Sequence, residues 1–479
     1  MKKIISIICL IILICSVLGV VDASSIEKLM IEDFDILVDI NVTVDIYAIR
    51  SLNEIDDFPV PNFFVKVFIN EEEFTSQIWN YSSYLYNCWS ITSDVPDNEE
   101  IVDIKIQLWD SSDDNILCDI GTENNDVKLF YSIKTGKWTG DDQLGDTTGY
   151  GRLCGYDYLN INNNERDCEL WFNIYQNDAD GDGIPYWMEK NIYETDPEVD
   201  NTGDDLDKDE IPIEWEYKWG YDPLKKENHQ HLDDDNDSIS NVEEYLTSDF
   251  HSDPFRQDIF LEIDWMEEGP NGQQSLLPEK SKEFLKNPFH RRNIVFHLDT
   301  GEINGGELIP FDEKTEQNEV LEIYNKYYIK DDTNKWRRGV FHYGIIVNLS
   351  NMKGFAFSGD TSPYWGYMPG TNSFVISSSH MEEKKTKKIL LNQTLEYLYG
   401  SAIMHEMGHN FGIRFGEPFG CDNWFGKYPW QIFFWLILNY KSIMNYQYTY
   451  RIFDYSDGTH GWGDYDDWSN IDLAYFETR

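Results

Sequence analysis

Apolar and polar residues alternate along Ile36–Ile46, Phe63–Ile69 and Ile101–Trp109, the period-two rhythm of strands with one buried face. Polar turns such as Asp110–Asn115 separate them. Short strands joined by turns predict a β-sandwich over residues 24–175. The rhythm changes after residue 255. Gln257–Met266, Asn293–Asp299, Gly339–Asn348 and Ser373–Ser378 read as strands, and Glu279–Leu285 and Val320–Tyr328 as helices. Thr394–Met404 has no Pro and one Gly and predicts a longer helix, closed by a left-handed cap at Gly412. Elements mixed in this order predict, for 255–479, an α/β domain with the long helix packed beneath the sheet.

Between these regions lies a third pattern, over 176–254. From Asp178 to Asp253 there are 25 acidic and 5 basic residues, and a twelve-residue unit occurs three times. The copies begin at Asp178, Asp205 and Asp233. Each places Asp at positions 1, 3 and 5, Ile at 7 and Glu at 12: Asp178, Asp180, Asp182, Ile184 and Glu189; Asp205, Asp207, Asp209, Ile211 and Glu216; Asp233, Asp235, Asp237, Ile239 and Glu244. This is the ligand order of a calcium loop, in which the side chains at 1, 3, 5 and 12 and the carbonyl at 7 surround the ion. Gly183 holds position 6 in the first copy, whereas Glu210 and Ser238 hold it in the others, so those two loops are expected to bind more weakly or turn differently. Without calcium, like charges keep the segment floppy; with it, the segment becomes a semi-rigid spacer.

The formal net charge of −49 excludes nucleic acid as a partner and suits a protein that binds divalent cations. Met1-Lys2-Lys3, an apolar run Ile4–Val21 and Ala23 describe a secretory signal over 1–23, and hence a secreted protein. An uncleaved membrane anchor is the alternative, because the run is long enough to span. Trp430–Tyr440 is apolar but too short for that. Cys88, Cys118, Cys154 and Cys168 fall in the exported N-terminal domain and predict two disulfides, which leaves Cys421 alone.

The candidate chemistry lies in the long helix. His405, Glu406 and His409 form a His-Glu-x-x-His pattern. Residues four apart share a helix face, so the two imidazoles converge on one point. Two neutral imidazoles and a water suit Zn²⁺, and Glu406 can take the proton of that water. With the following Asn410, Phe411 and Gly412, the stretch resembles the first eight positions of the metzincin zinc-peptidase signature. Ser442–Tyr446 resembles the Met-turn that lies under zinc in those enzymes. The resemblance covers 257–479. It implies zinc-dependent hydrolysis of a protein or peptide substrate, with Met444 as an apolar base under the metal and, as in astacin-like members, Tyr446 bonding the oxyanion. Strand 373–378 is expected to pair with an extended substrate.

The third histidine of that signature would fall at 415, which is Phe415 here. Asp422 is the leading substitute as third ligand, with Cys421 and His460 as alternatives. The repeats resemble thrombospondin type 3 calcium repeats. Gln107–Asp114 resembles a calcium-dependent C2-type sandwich, with Asp110, Asp113 and Asp114 at a loop tip, and leaves room for a weak membrane or cell-surface association. The competing reading is a non-enzymatic calcium-binding adhesion protein with a degenerate peptidase domain, which Phe415 favours.

Overall fold

The computed structural model describes residues 39–473 except 53–60, 83, 97–98, 113–114, 122–124, 126, 143–149, 156–165, 302–304, 331–335, 350–353, 357–371, 388–392 and 415. The expected leader at 1–23, Asp113, Asp114 and Phe415 lie outside the described residues. Contacts divide the chain into two compact units. One reaches Asp204 and includes Pro212–Leu224; the other comprises Asp205–Ile211 and Lys225 onward. The acidic segment, expected to be a domain of its own at 176–254, is shared between them.

The first unit is a β-sandwich, as the alternation predicted. Its strands are β1 (Asn41–Ser51), β2 (Phe63–Ile69), β3 (Glu72–Thr75), β4 (Tyr84–Asp94), β5 (Ile101–Asp110), β6 (Ile116–Leu117), β7 (Val127–Ser132), β8 (Lys137–Gly140), β9 (Gly151–Cys154) and β10 (Cys168–Gln176). One antiparallel sheet runs β4-β1-β10-β9 and the other β3-β2-β5-β7-β8, with β6 on β5. Alternate residues of both sheets, among them Val42, Val44, Val65, Val67, Ile104, Ile106 and Phe172, share one apolar core.

Two sequence-based expectations need correction here. No disulfide joins Cys88, Cys118, Cys154 and Cys168 among the described residues. Cys118 and Cys168 instead contact each other inside the apolar core, and burial pushes the Cys168 thiol up. Asp110, expected at an open calcium tip, is fully buried and ion-paired with Arg166. Its Oδ1 also accepts the backbone N–H of Asn62 at 2.9 Å, so its role is to tie strands together.

In the second unit, β11 (Asp258–Met266), β12 (Val295–Asp299), β13 (Leu308–Ile309), β14 (Phe341–Val347), β15 (Gly354–Ala356) and β16 (Ser373–Ser377) form one sheet in the order β12-β11-β14-β16-β15, with β13 on β11. All pairs are parallel except β15 with β16. Every residue of β14 and β16 is buried, as expected of strands covered on both faces. Ile259, Leu261 and Ile263 of β11 face one core with Leu285 of a helix at Glu279–His290 and Ile403 and Met407 of the long helix. Phe260 and Met266 face the other, with Val320, Tyr324 and Tyr328. The sheet is therefore covered by apolar clusters on both sides, and the long helix lies under one of them.

This order corrects a further expectation. Strand 373–378 was to receive an extended substrate, but β16 already pairs on both edges, with β14 and β15. Its uninterrupted burial is the signature of an interior strand. Among the described residues the sheet ends at β15 on that side and at β12 on the other.

Candidate metal centre

The long helix spans Leu395–Asn410, and Thr394 caps it by accepting the N–H of Tyr397 at 3.3 Å. It is apolar around most of its circumference and buried along nearly all of Leu398–Asn410. Gly412 ends it at φ +92°, with its N–H donating to the His409 carbonyl at 3.1 Å. His405 and His409 lie on one face, with rings 5.1 Å apart and perpendicular.

Both imidazoles are held by one nitrogen and turned by it. His405 Nδ1 donates to the Ile443 carbonyl at 2.9 Å, and His409 Nδ1 to the Ile413 carbonyl at 2.5 Å. Both Nε2 atoms therefore point the same way, toward Asp422: His405 Nε2 lies 3.1 Å from Oδ1 and His409 Nε2 3.3 Å from Oδ2. The two nitrogens and the carboxylate oxygen lie within 4.8 Å of one another, close enough to hold one ion. Two neutral imidazoles and one carboxylate suit zinc. The carbonyl partners at Nδ1 fix the tautomer that such ligation needs.

Asp422 ends a short strand, Phe419–Asp422, with φ at +51°. That left-handed turn, with its N–H donating to the Met444 carbonyl at 3.1 Å, aims the carboxylate at the imidazoles. Burial raises the Asp422 carboxyl, but the two imidazoles outweigh it and hold it well below the usual range. Burial lowers His409, yet Asp422 carries it up to about 9.

Among the alternatives for the third ligand, Cys421 belongs to the apolar core under the sheet, and burial pushes its thiol up. His460 Nδ1 sits 2.9 Å from Asp464 and belongs to a separate group with Asp457.

Glu406 is buried, and its carboxyl is raised by burial more than the charges of His405 and His409 lower it. It accepts the N–H of Ala356 in β15. A Cβ on Gly354 would come within 2.6 Å of Glu406 Oε1, so glycine is what lets the edge strand approach. In the sequence this strand reads as part of a loop. The Tyr446 ring stacks on His405 at 5.6 Å, and its hydroxyl bonds Asp422. Met444 is fully buried, its sulfur against Gly408 of the long helix.

The acidic loops share one hydrogen-bond plan. Asp178, Asp205 and Asp233 each accept the N–H of position 6, from Gly183 at 2.5 Å, Glu210 at 3.0 Å and Ser238 at 3.0 Å. Asp182, Asp209 and Asp237 each accept the N–H of position 7, from Ile184, Ile211 and Ile239 at 2.9, 3.2 and 2.7 Å. The three Ile side chains are buried and anchor the loops. The expectation that loops two and three turn differently fails. Glu210 at φ +84° and Ser238 at +71° match Gly183 at +85°, because the first Asp holds the same backbone turn in each copy.

The donors gather as the spacing implies. Asp178, Asp180, Asp182 and Glu189 lie within ligand reach of one another, as do Asp205, Asp207 and Asp209. Glu216 is fully buried on the helix Ile213–Trp219, and Glu244 on Asn241–Leu246. Buried oxygens of Asp180, Glu189, Asp207, Asp235 and Glu244 have no hydrogen-bond partner among the described residues. Burial and mutual repulsion push Asp182 up to about 6, Glu189 to about 7, Asp237 to about 8 and Asp235 to about 10. Orphaned oxygens and crowded carboxylates of this kind fit a hard cation. Two buried residues were not foreseen. His229 Nε2 lies 3.3 Å from Asp209, and Asp258 donates its N–H to Asp237 at 2.7 Å.

No family model matches the chain, and no curated protein matches it. Among solved structures, the chain is similar to a C2 domain of a plant extended synaptotagmin 1, at 11% identity over 29% of this chain and 94% of that one, with a TM-score of 0.19. A structure described as a C2 domain matches at 10% identity over 29% of this chain and 97% of its own, with a TM-score of 0.19. Human GIVD cytosolic phospholipase A2 matches at 11% identity over 29% of this chain and 17% of its own, with a TM-score of 0.19.

Proposed function

We propose that this chain is a secreted zinc-dependent endopeptidase whose acidic loops hold calcium as structural ions. The observation that carries the reading is the convergence of His405 Nε2, His409 Nε2 and the Asp422 carboxylate beside the buried Glu406. Asp422, 3.1 and 3.3 Å from the two Nε2 atoms, would take the place of the histidine that Phe415 lacks, which supports this reading over a degenerate, adhesive protein.

His405, His409 and Asp422 would hold the zinc ion. A zinc ion there supplies a Lewis acid and acidifies water to a pKa of about 7. Glu406, buried beside the imidazoles with its carboxyl raised, would take a proton from that water and return it to the leaving amine. Tyr446 holds Asp422 in place through its hydroxyl and, stacked on His405, would offer that hydroxyl to a developing oxyanion. The β15 edge, bonded to Glu406 through Ala356, is the place where an extended peptide would add a strand.

The test is metal analysis and cleavage of an unstructured protein by the purified full chain. One zinc per chain with proteolysis is expected. Glu406→Gln should keep the zinc and lose cleavage; retained cleavage would end this reading.

A further inference from the structure

Beside the metal cluster stands an exposed apolar surface. Trp424, Phe425, Trp430, Ile432, Trp435 and Trp462 are all exposed, Trp430 at 79% and Trp462 at 82%. A single exposed aromatic on a soluble domain is ordinary, but a contiguous group of this kind marks an interaction site. The short helix Ile432–Leu436 is made only of apolar residues, and none of them is buried. Tyr428 and Trp430 stack at 4.7 Å and Trp435 Nε1 donates to the Pro429 carbonyl at 3.1 Å, so these rings share one patch, and Asn439 Nδ2 ties the Trp462 backbone to the same loop at 2.8 Å.

The patch is built on a fixed base. Asn445 Nδ2 donates to the carbonyls of Ile437 at 3.1 Å and Tyr440 at 2.8 Å. Gln447 Nε2 donates to those of Gly426 at 2.7 Å and Phe434 at 3.0 Å. Buried amides thus clamp the loop backbone while its rings point outward.

Charge and side-chain type decide the occupant. In a chain with 87 acidic residues, Asn423–Phe453 contains none, and Lys427, Lys441 and Arg451 lie within it. Tryptophan and tyrosine, apolar rings with one polar atom, favour the boundary between lipid headgroups and acyl chains. An apolar helix turn ringed by such residues, too short to span, fits a bilayer surface. We infer that this aromatic surface docks the protein on the headgroup boundary of a zwitterionic lipid bilayer. Trp424 meets Tyr446 edge-on at 5.2 Å, so docking sets the metal cluster close to the membrane plane. The inference does not depend on what that cluster catalyses.

The full chain, with calcium present, is floated with phosphatidylcholine vesicles. It is expected to float, and Trp430→Ser combined with Trp435→Ser should lower the bound fraction about tenfold or more. Because the rings are exposed, the variant should melt as the parent does. Ring insertion should persist in about 0.5 M salt, where a charge-driven contact is screened. Brominated phosphatidylcholine should quench tryptophan fluorescence of the unmutated protein. Failure to float, flotation unchanged in the variant, loss in salt or absence of quenching would each overturn the inference. So would a lipid-free dimer that the same substitutions dissociate, which would make the patch a contact between two copies.

Discussion

A Cβ placed on Gly408 would stand 2.3 Å from the sulfur of Met444. The glycine inside the His-Glu-x-x-His stretch is therefore what allows the 442–446 turn to close on the helix. Gly408→Ala gains helix propensity, but the added methyl must displace buried Met444. The expected net cost is about 1–3 kcal/mol of stability, read as a lower melting temperature. Met444→Ala makes room at the price of a cavity, so in the double variant the two losses should fall short of additive by about 0.5–3 kcal/mol. Strict additivity in a double-mutant cycle would show that the two residues do not meet.

Asp422 and Cys421 are adjacent in sequence and differ sharply in setting. Asp422 faces both imidazoles, whereas Cys421 packs in the core. Asp422→Ala should lower bound zinc to well below one per chain and abolish cleavage, because two protein ligands make a weak site. Cys421→Ser should keep both, apart from a stability loss. Zinc lost in Cys421→Ser but retained in Asp422→Ala would reverse the assignment.

These contrasts define what the sequence could and could not carry. The spacing of His405 and His409 is a property of any helix, so their convergence was legible. The sandwich was legible from period-two alternation, and the α/β character of 255–479 from its mixed order of strands and helices, whereas the parallel pairing was not read. The choice among Asp422, Cys421 and His460 was not, because it turns on a left-handed Asp422 and on which of two neighbours faces inward. The edge strand Gly354–Ala356 is too short to leave a periodic signal, and so the interior strand was mistaken for the substrate edge. The second and third loops looked anomalous at Glu210 and Ser238, yet a carboxylate four or five residues earlier fixes the turn without glycine. Cysteine number predicted disulfides, whereas pairing depends on geometry that number does not contain.

The buried histidines His342, His297 and His290 of the C-terminal unit should each contribute a part of its stability that is lost in acid. His342 is fully enclosed in β14, edge-on to Phe411 at 5.1 Å, and burial lowers it to about 3. An unfolded histidine titrates near 6.5. The unfolded state thus binds a proton that the folded state refuses, and stability falls as pH drops from about 6.5 toward 3. His297 and His290, also lowered to about 3, add slope of the same sign. His342→Leu should lose less melting temperature than the parent between about pH 7 and pH 4.5. Parallel curves would show that His342 titrates normally.

The third acidic loop joins the start of the sheet, and that connection predicts how calcium acts. Asp237 accepts the N–H of Asp258, the first residue of β11, and Gln257 Nε2 donates to the Asp235 carbonyl at 3.2 Å. Asp258 in turn bonds His297 of β12 at 2.7 Å. The carboxylates of Asp235, Asp237, Glu244 and Asp258 are all raised by burial and by one another, so ionising them without a cation works against the fold. Their stabilising protons are lost as pH rises through about 8 to about 10, which makes a chelated protein weakest above about pH 10. Calcium should reverse this, raising the melting temperature of the C-terminal unit and slowing amide exchange along β11 and β12. Glu244→Gln removes the buried charge at position 12 and should abolish most of that response while leaving the fold intact in chelator. Equal calcium responses from the two proteins would place the stabilising ion elsewhere.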